Sequence, residues 1–452
     1  MKVQLPKNTQ TILNKFKKGG FEVYIVGGAV RDVLMGKTIY DWDFTTNAKP
    51  KEILDLLKSD DPFYTNKFGT VGIPNDKDLR PFEITTYRTE HGYSDFRRPD
   101  KIKWGKTLKE DLERRDFTIN AMALKPKNKS SEFELIDYYD GQKDIEKKSI
   151  RAVGAPDERF AEDALRMMRA VRIASELGFT IEDKTLSAIK KNAAKIKRIS
   201  SERVRDELLK ILASDYPYEG VVIFRNVGLM QEILPELENT FGVEQKSPGR
   251  HHIYDVGTHS LLSLKYCKSK DPITRFACLI HDIGKPQTYK KTDEGVITFY
   301  NHEVVSTKIA KNIAKRLKFS NEQTEKFVTL VKWHQFTVNE NQTDKAIRRF
   351  IRNVGKENIQ DMLDLRTGDR LGGGARETSW RLEEFKKRLV EVQKQPFTVH
   401  DLKINGKDIM NELNIKPGPK VGEILNKLYD EVVDKKLPNN KKELMKRAKA
   451  LK

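Results

Sequence analysis

Apolar residues fall at helical spacing in Ile12, Leu13 and Phe16 and then run continuously through FEVYIV at 21–26, which predicts a helix followed by a short buried strand closed by Gly27-Gly28. The same reading gives a helix at 30–35, a strand at 40–46, a helix at 50–57 and strand-like segments at 70–73 and 82–88. These alternating elements predict an α/β module of about 150 residues. From residue 158 the apolar period becomes that of long amphipathic helices, at 158–177, 183–195 and 201–213, followed by GVVIFRNVGLMQEILPEL. The remainder reads as almost wholly helical. A polar stretch with Pro and Gly, FGVEQKSPGRHH at 241–252, is expected to be a hinge, and DRLGGGARE makes a glycine-rich break near 375. The expected class is therefore α+β, divided into a head at 1–150, a helical neck and body at 151–240, a second helical block at 241–375 and a helical tail at 376–452.

Composition narrows the partners. In 452 residues, 85 Lys and Arg stand against 66 Asp and Glu, a formal charge of +19, with 37% hydrophobic residues. That is enough apolar material for packed interiors, and it excludes a disordered basic tail protein. A folded chain with this surplus is expected to meet a polyanion, because each Lys or Arg at a phosphate releases condensed counterions. The excess leans toward the tail. Cys267 and Cys278 are spaced neither as a zinc knuckle nor as a redox pair, which suits a reducing compartment. The first twenty residues hold five lysines and no continuous apolar core, and no later stretch approaches a membrane span. The expectation is a soluble, cytoplasmic protein.

Two short motifs carry the chemistry of the head. Gly27-Gly28-Ala29-Val30-Arg31-Asp32 follows a strand and opens a helix, so Gly28 and its neighbours can bring backbone amides close to an anion, with Arg31 adding a bidentate phosphate contact. Asp41-Trp42-Asp43 lies on the next predicted strand, where alternation puts both carboxylates on one face about 7 Å apart. Like charges side by side are costly unless they hold cations, and carboxylate oxygens with Mg²⁺ are the usual solution for phosphoryl or nucleotidyl transfer. Glu83, on the strand FEITTYR, reads as an ordinary strand glutamate and is not assigned to the metal site. On the helix predicted from 158, Asp163 and Arg166 are three apart and share a face, with Arg169 and Arg172 continuing the row. A carboxylate beside a guanidinium matches the amino donor and ring-nitrogen acceptor of cytosine and of adenine, and mismatches the carbonyl of uracil and guanine.

GGAVRD, DWD, RRDFTINAMAL (114–124), DYYDGQKDI (137–145), EDALRMMRAVR (162–172) and SSERVRDELLKIL (200–212) stand in order. Over about residues 20–235 this resembles the bacterial-type (class II) tRNA nucleotidyltransferases, the CCA-adding enzymes, and their relatives the bacterial poly(A) polymerases. The resemblance implies a polymerase-β-like head followed by helical neck, body and tail, and template-independent addition of C, C and A to tRNA from CTP and ATP. It further implies that Arg169 and Arg172 hold the triphosphate and that Arg115 and Asp116 contact the sugar. Asp140 and Asp144 then organise the head–neck junction, and the segment 88–100, with Arg88, Asp95, Arg97 and Arg98, is the loop that accompanies the switch from C to A.

Four of the eight histidines fall within 259–334. Imidazoles and carboxylates gathered from successive helices can hold one or two divalent metals that activate water against a phosphoester. HDIGK at 281–285 resembles the HD phosphohydrolases, whose ligand set maps onto His259, His281, Asp282 and Asp369, with His302 and His334 suiting a dinuclear variant. The metal there is unspecified. The tail, through turns at Gly406-Lys407 and Pro417-Gly418-Pro419-Lys420 that open helices, is expected to contact the acceptor stem and T arm of tRNA by shape. Two other readings stand beside this one: an A-adding enzyme or poly(A) polymerase, and an HD phosphohydrolase with an RNA-binding head.

Overall fold

The computed structural model describes residues 1–39, 41–66, 69–75, 80–91, 101–127, 132–245, 253–336, 342–393, 399–433 and 436–451. The chain forms two compact units, one of residues 1–239 with 313–319 and the other of 240–312 with 320–452.

The first unit opens with α1 (Lys7–Lys18), β1 (Val23–Val26), α2 (Gly28–Leu34), β2 (Asp43–Thr46), α3 (Pro50–Leu56), β3 (Phe63–Asn66), β4 (Thr70–Ile73), β5 (Phe82–Thr86), β6 (Arg88–His91), β7 (Lys101–Trp104), α4 (Leu108–Glu113), β8 (Met122–Pro126), β9 (Phe133–Asp137) and α5 (Gly141–Glu146). Seven strands form a sheet of order β3-β4-β5-β2-β1-β8-β9. All four residues of β1 are buried, because both faces of the sheet are covered. Ile25, Phe44 and Ile84 face one core with Phe16 and Ile53 of the helices, while Tyr24 and Val26 face a second, smaller core with Leu108 and Leu112 of α4. The α4 start is fixed by a capping box in which Thr107 and Glu110 satisfy each other's backbone amides. β2 runs parallel to β5 in a register that sets Asp43 opposite Glu83. The strand begins at Asp43, so Asp41 lies just before it and not on it.

The next helices are α6 (Pro156–Glu162), α7 (Leu165–Leu177), α8 (Asp183–Asn192), α9 (Ser201–Ala213), α10 (Pro217–Asn226), α11 (Leu229–Ile233) and α12 (Pro235–Glu238), with the strand pair β10 (Ser149–Ile150) and β11 (Thr180–Ile181) beside them. The single helix predicted over 158–177 is two. Asp163 adopts extended dihedrals (φ −141°, ψ 105°), and its Oδ1 accepts from the Leu165 amide at 3.0 Å. A short carboxylate side chain that bonds its own downstream backbone competes with helix continuation, which the apolar period does not report.

The second unit contains α13 (Val256–Tyr266), α14 (Pro272–Ile280), α15 (Lys285–Thr288), a hairpin of β12 (Lys290–Lys291) and β13 (Ile297–Thr298) that the almost wholly helical expectation lacked, α16 (His302–Arg316) up to residue 312, α17 (Asn321–Trp333), α18 (Asp344–Val354), α19 (Ile359–Gly372) and α20 (Trp380–Gln393). Phe385 of α20 stacks on Phe336 and meets Phe350 of α18 edge-on, so α20 shares its core with the preceding helices and not with the tail. A separate core, including Ile409, Ile424, Leu428 and Leu444, joins α21 (Gly406–Leu413), α22 (Pro419–Val433) and α23 (Lys441–Lys449). Most of the predicted hinge at 241–252 and of the loop at 88–100, including Asp95, Arg97 and Arg98, lies outside the described residues.

Candidate active site and candidate metal centre

A pocket of about 500 Å³ opens between the sheet and α7, with Asp43 and Glu83 on one wall and Arg115, Asp116, Asp163, Arg166 and Arg169 on the others. Asp43 is pushed up to about 6 by burial, and Glu83 and Asp41 push in the same direction against the opposing Arg115 guanidinium. Glu83, set aside on sequence grounds, thus belongs to the site. Its parallel pairing with β2 is a long-range fact that no local pattern carries. Asp41 is half exposed and meets Arg80 at 2.9 Å. The hard carboxylate oxygens of Asp43, Glu83 and the nearby Asp41 fit a Mg²⁺-type cation. Because the ionised carboxylate is the ligand form, cation uptake at this site in the nucleotide-free protein is expected to weaken by up to about tenfold per pH unit below 6. Mn²⁺ titration followed by electron paramagnetic resonance between about pH 5 and 7.5 reads this directly.

The glycine turn sits against this pocket, but Gly27 is its critical member. Gly27 has φ +75°, and a Cβ there would come within 3.1 Å of Arg115 Nη1 and 3.4 Å of Asp43 Oδ2. Gly28 is the first residue of α2. Arg31 does not reach out as a free phosphate ligand: it is paired with Asp32 at 2.8 Å and donates to Asn120 Oδ1 at 3.0 Å. Asn120 in turn donates to Asp116 Oδ1 at 3.2 Å, and Arg169 holds Asp116 Oδ2 through two nitrogens at 2.6 and 2.8 Å. Burial alone would raise the Asp116 carboxyl, but Arg169, with help from Arg166 and Asn120, outweighs it and holds it well below the usual range. Asp116 is therefore a permanent anion that orients Arg169.

Asp163 and Arg166 both line the pocket, yet they are not paired with each other. Asp163 Oδ2 accepts from Arg203 Nη2 at 2.7 Å, whereas Arg166 is held by Glu162 at 2.5 Å and by the carbonyls of Arg159 and Arg114 at 3.3 and 3.0 Å. Each is positioned independently. Arg203, which stands in the motif SSERVRDELLKIL but to which the sequence assigns no role, is the residue that fixes Asp163. Arg172 leaves the predicted row: it is bound to Glu207 at 2.7 Å and to Glu176 at 2.8 Å, tying α7 to α9, and it is not on the pocket wall. Within the unbroken helix α7 each step of three residues turns by about 60°, so Arg172 lies about 120° around the axis from Arg166 and faces α9. Asp144 accepts from Thr118 at 2.6 Å and from Arg151 at 2.9 Å, a structural role, while Asp140 is an exposed left-handed residue before α5.

In the second unit the six predicted ligands converge. His259 comes from α13, His281 and Asp282 from the end of α14, His302 from the start of α16, His334 from the end of α17 and Asp369 from α19. All four histidines and Asp282 are buried. The Nε2 atoms of His259 and His281 are 3.2 Å apart, as are those of His302 and His334. Asp282 bridges the two pairs: Oδ2 is 3.3 Å from both His259 and His281, and Oδ1 is 3.0 Å from His302 and 3.6 Å from His334. Asp369 Oδ1 completes the first group at 3.3 and 3.6 Å.

Local backbone geometry sets the tautomers. His281, His302 and His334 each place Nδ1 against the carbonyl three residues back, at 2.8, 2.9 and 2.7 Å, so Nδ1–H donates and the Nε2 lone pair faces inward. Lone pairs that close need a cation or a proton between them. The donor set, imidazole nitrogens with a shared carboxylate, suits a pair of divalent transition metals. Glycines permit the convergence. A Cβ at Gly368 or Gly372 of α19 would meet the Ser263 backbone of α13 at 2.5 or 2.6 Å, and one at Gly284 would meet the backbone of His302 and Ser306 at 2.6 Å.

Comparison with known proteins agrees with the head reading. The family model of the poly(A) polymerase head domain matches residues 23–151, that of the RNA and SrmB-binding site of polymerase A matches 178–241, and that of tRNA nucleotidyltransferase domain 2 matches 290–448. The CCA-adding enzyme of Ligilactobacillus salivarius is 34% identical over 98% of this chain and 96% of its own, and that of Pediococcus pentosaceus is 32% identical over 96% and 95%. Among solved structures, the Bacillus stearothermophilus CCA-adding enzyme in complex with CTP superposes with a TM-score of 0.70 at 25% identity, covering 99% of this chain and 98% of that one. The Thermotoga maritima CCA-adding enzyme, solved with tRNA, shares the fold at a TM-score of 0.61 and 20% identity, over 99% and 96%. No described helix is long and apolar enough to cross a membrane. The chain belongs to the CCA-adding enzyme family of nucleotidyltransferases, which shares its head domain with the poly(A) polymerases.

Proposed function

We propose that this chain completes tRNA 3′ ends by adding C, C and A from CTP and ATP without a nucleic-acid template, at the pocket between the sheet and α7. One observation carries the reading: carboxylates suited to a divalent cation, Asp43 and Glu83, share a pocket with the separately anchored Asp163 and Arg166. Asp43, Glu83 and the nearby Asp41 would hold Mg²⁺, which when bound neutralises the triphosphate and lowers the pKa of the attacking 3′-hydroxyl. Asp163 accepts from the exocyclic amino group of cytosine or adenine, and Arg166 donates to the adjacent ring nitrogen. Arg203 and Glu162 keep the two from collapsing on each other. Six arginines on the pocket, Arg88, Arg114, Arg115, Arg166, Arg169 and Arg203, outnumber its four carboxylates and favour an anionic substrate. Arg169, Arg115 and Asp116 then bind triphosphate and sugar, and Gly27 with Gly28 lets the backbone approach the phosphates. Arg172 and Arg31 serve as structural ties. In this reading 1–150 is the catalytic head, 151–240 the neck and body that read the base, and the basic tail, beyond the core shared by α20, holds the acceptor stem and T arm. A tRNA transcript ending at its discriminator base should gain two C with CTP alone and one further A once ATP is added. Failure to incorporate C from CTP alone would overturn it.

The imidazole geometry favours a second site. In this reading His259, His281, Asp282 and Asp369 would hold one divalent metal and Asp282, His302 and His334 another, and the pair would supply an activated water for phosphoester hydrolysis. Elemental analysis of the purified chain should find metal beyond what the head retains after chelation. Asp282→Ala, which removes the shared ligand, should weaken its binding by at least about a hundredfold, while tRNA extension stays unchanged. Retention of the metal by that variant would reject the site.

A further inference from the structure

Asp111 of α4 is not on the walls of the head pocket, and its side chain is 0% exposed. A buried carboxylate persists only where donors surround it, and Asp111 finds them on three residues. Oδ1 accepts from Arg114 Nη2 at 2.7 Å and from Arg114 Nε at 3.0 Å. Oδ2 lies 3.2 Å from the Thr45 hydroxyl and 3.4 Å from Arg115 Nη2. Burial pushes the Asp111 carboxyl up, but Arg114 and Arg115 outweigh it and hold it below the usual range, so its charge is permanent.

Each contact leads to a group that the pocket uses. Thr45 is two residues from Asp43 on β2 and therefore on the same face of the sheet. Arg115 is the guanidinium that opposes Asp43, and its Nε meets no acceptor among the described residues, so the ion pair with Asp111 is the hold set against Asp43. Without that negative charge, Arg115 would turn to Asp43 and occupy the oxygens that a cation needs. Arg114 is gripped through two nitrogens, and its carbonyl accepts from Arg166 Nη2 at 3.0 Å. One buried carboxylate thus fixes a guanidinium on the cation side of the pocket and a backbone acceptor on the base side.

We infer that Asp111 is a positioning residue for nucleotidyl transfer: it draws Arg115 away from Asp43, which leaves that carboxylate to the cation, and through Arg114 it sets the carbonyl that aims Arg166 at the base. The inference rests on the reading of the head pocket proposed above.

The test is Asp111→Asn in the full chain, which keeps the shape of the side chain and removes its charge. Electron paramagnetic resonance measures Mn²⁺ uptake by the nucleotide-free protein, and the part lost in Asp43→Asn defines the share of the head. That share is expected to bind about tenfold more weakly in Asp111→Asn, and the ratio of kcat/KM for CTP over UTP to fall by about tenfold. In an Arg115→Met background the same substitution should change uptake by less than about twofold, because the competing guanidinium is gone. A mere loss of nearby negative charge weakens uptake with or without Arg115, and a purely structural role lowers the melting temperature while moving neither uptake nor the ratio; either result overturns the inference. Weakened uptake at an unchanged ratio overturns the link to Arg166. If Asp111→Asn does not fold, the chain carrying both Asp111→Asn and Arg114→Gln, which removes the bidentate pair as a whole, takes its place in the same comparisons. A parent chain without uptake that depends on Asp43 defeats the cation reading by itself; the nucleotide ratio then judges Asp111, and an unchanged ratio overturns its role. A parent that adds no C defeats the head reading, and uptake with and without Arg115 then decides for or against Asp111.

Discussion

Asp43→Asn is expected to lower the rate of CMP incorporation into tRNA by at least about a thousandfold, because in the proposed site it removes a charged ligand from the carboxylates that would hold the cation. The substitution is nearly isosteric. It also removes negative charge from a wall where burial and the neighbouring carboxylates already push Asp43 up to about 6, so it should not cost the fold stability. Single-turnover extension of a tRNA ending in its discriminator base measures the loss, and thermal unfolding separates it from misfolding. Glu83→Gln should show a loss of the same kind, since β5 presents Glu83 opposite Asp43 in register. Activity of Asp43→Asn within tenfold of the parent would remove the carboxylate pair from the reaction.

Asp163→Ala is expected to erase most of the preference for CTP over UTP, a change of about a hundredfold to a thousandfold in the ratio of their kcat/KM values. The parent site would leave Asp163 facing a uracil carbonyl, acceptor against acceptor, and this penalty disappears with the carboxylate. Arg203→Ala is a sharper probe of the same geometry. Arg203 holds Asp163 at 2.7 Å from the side of α9, so its loss should relax base choice without removing the acceptor itself. Raised UTP incorporation with CTP incorporation largely kept would mark Arg203 as a positioning residue; undiminished selectivity in both variants would show that the base is read elsewhere.

The alternation and period of apolar residues were enough to anticipate β1, α9 and the glycine turn, because each is decided by contacts within a few positions. α9 runs over Ser201–Ala213, as its period indicated. What the local pattern could not carry were facts of pairing at a distance. Glu83 looks like any strand glutamate until β5 lies parallel to β2. Arg172 looks like a continuation of Arg166 and Arg169 until the drift of three-residue steps around α7 turns it to α9, where Glu207 captures the guanidinium. The predicted Asp163–Arg166 couple came from a helical spacing that the backbone does not adopt, although both side chains still reach the same pocket. The histidines were legible for another reason. Their residue types are rare in this chain, and clustering among rare types survives ignorance of the fold, whereas the sharing of Asp282 between two imidazole pairs does not show in one dimension.

The glycines of α19 set a distance as well as a fit. Because Gly368 and Gly372 let α13 come to rest backbone against side, the gap between those two helices is also the gap between His259 and Asp369. In the proposed metal site helix separation would then gauge ionic radius: a methyl group added at Gly372 would part the two helices and shift the preference of the site toward larger ions.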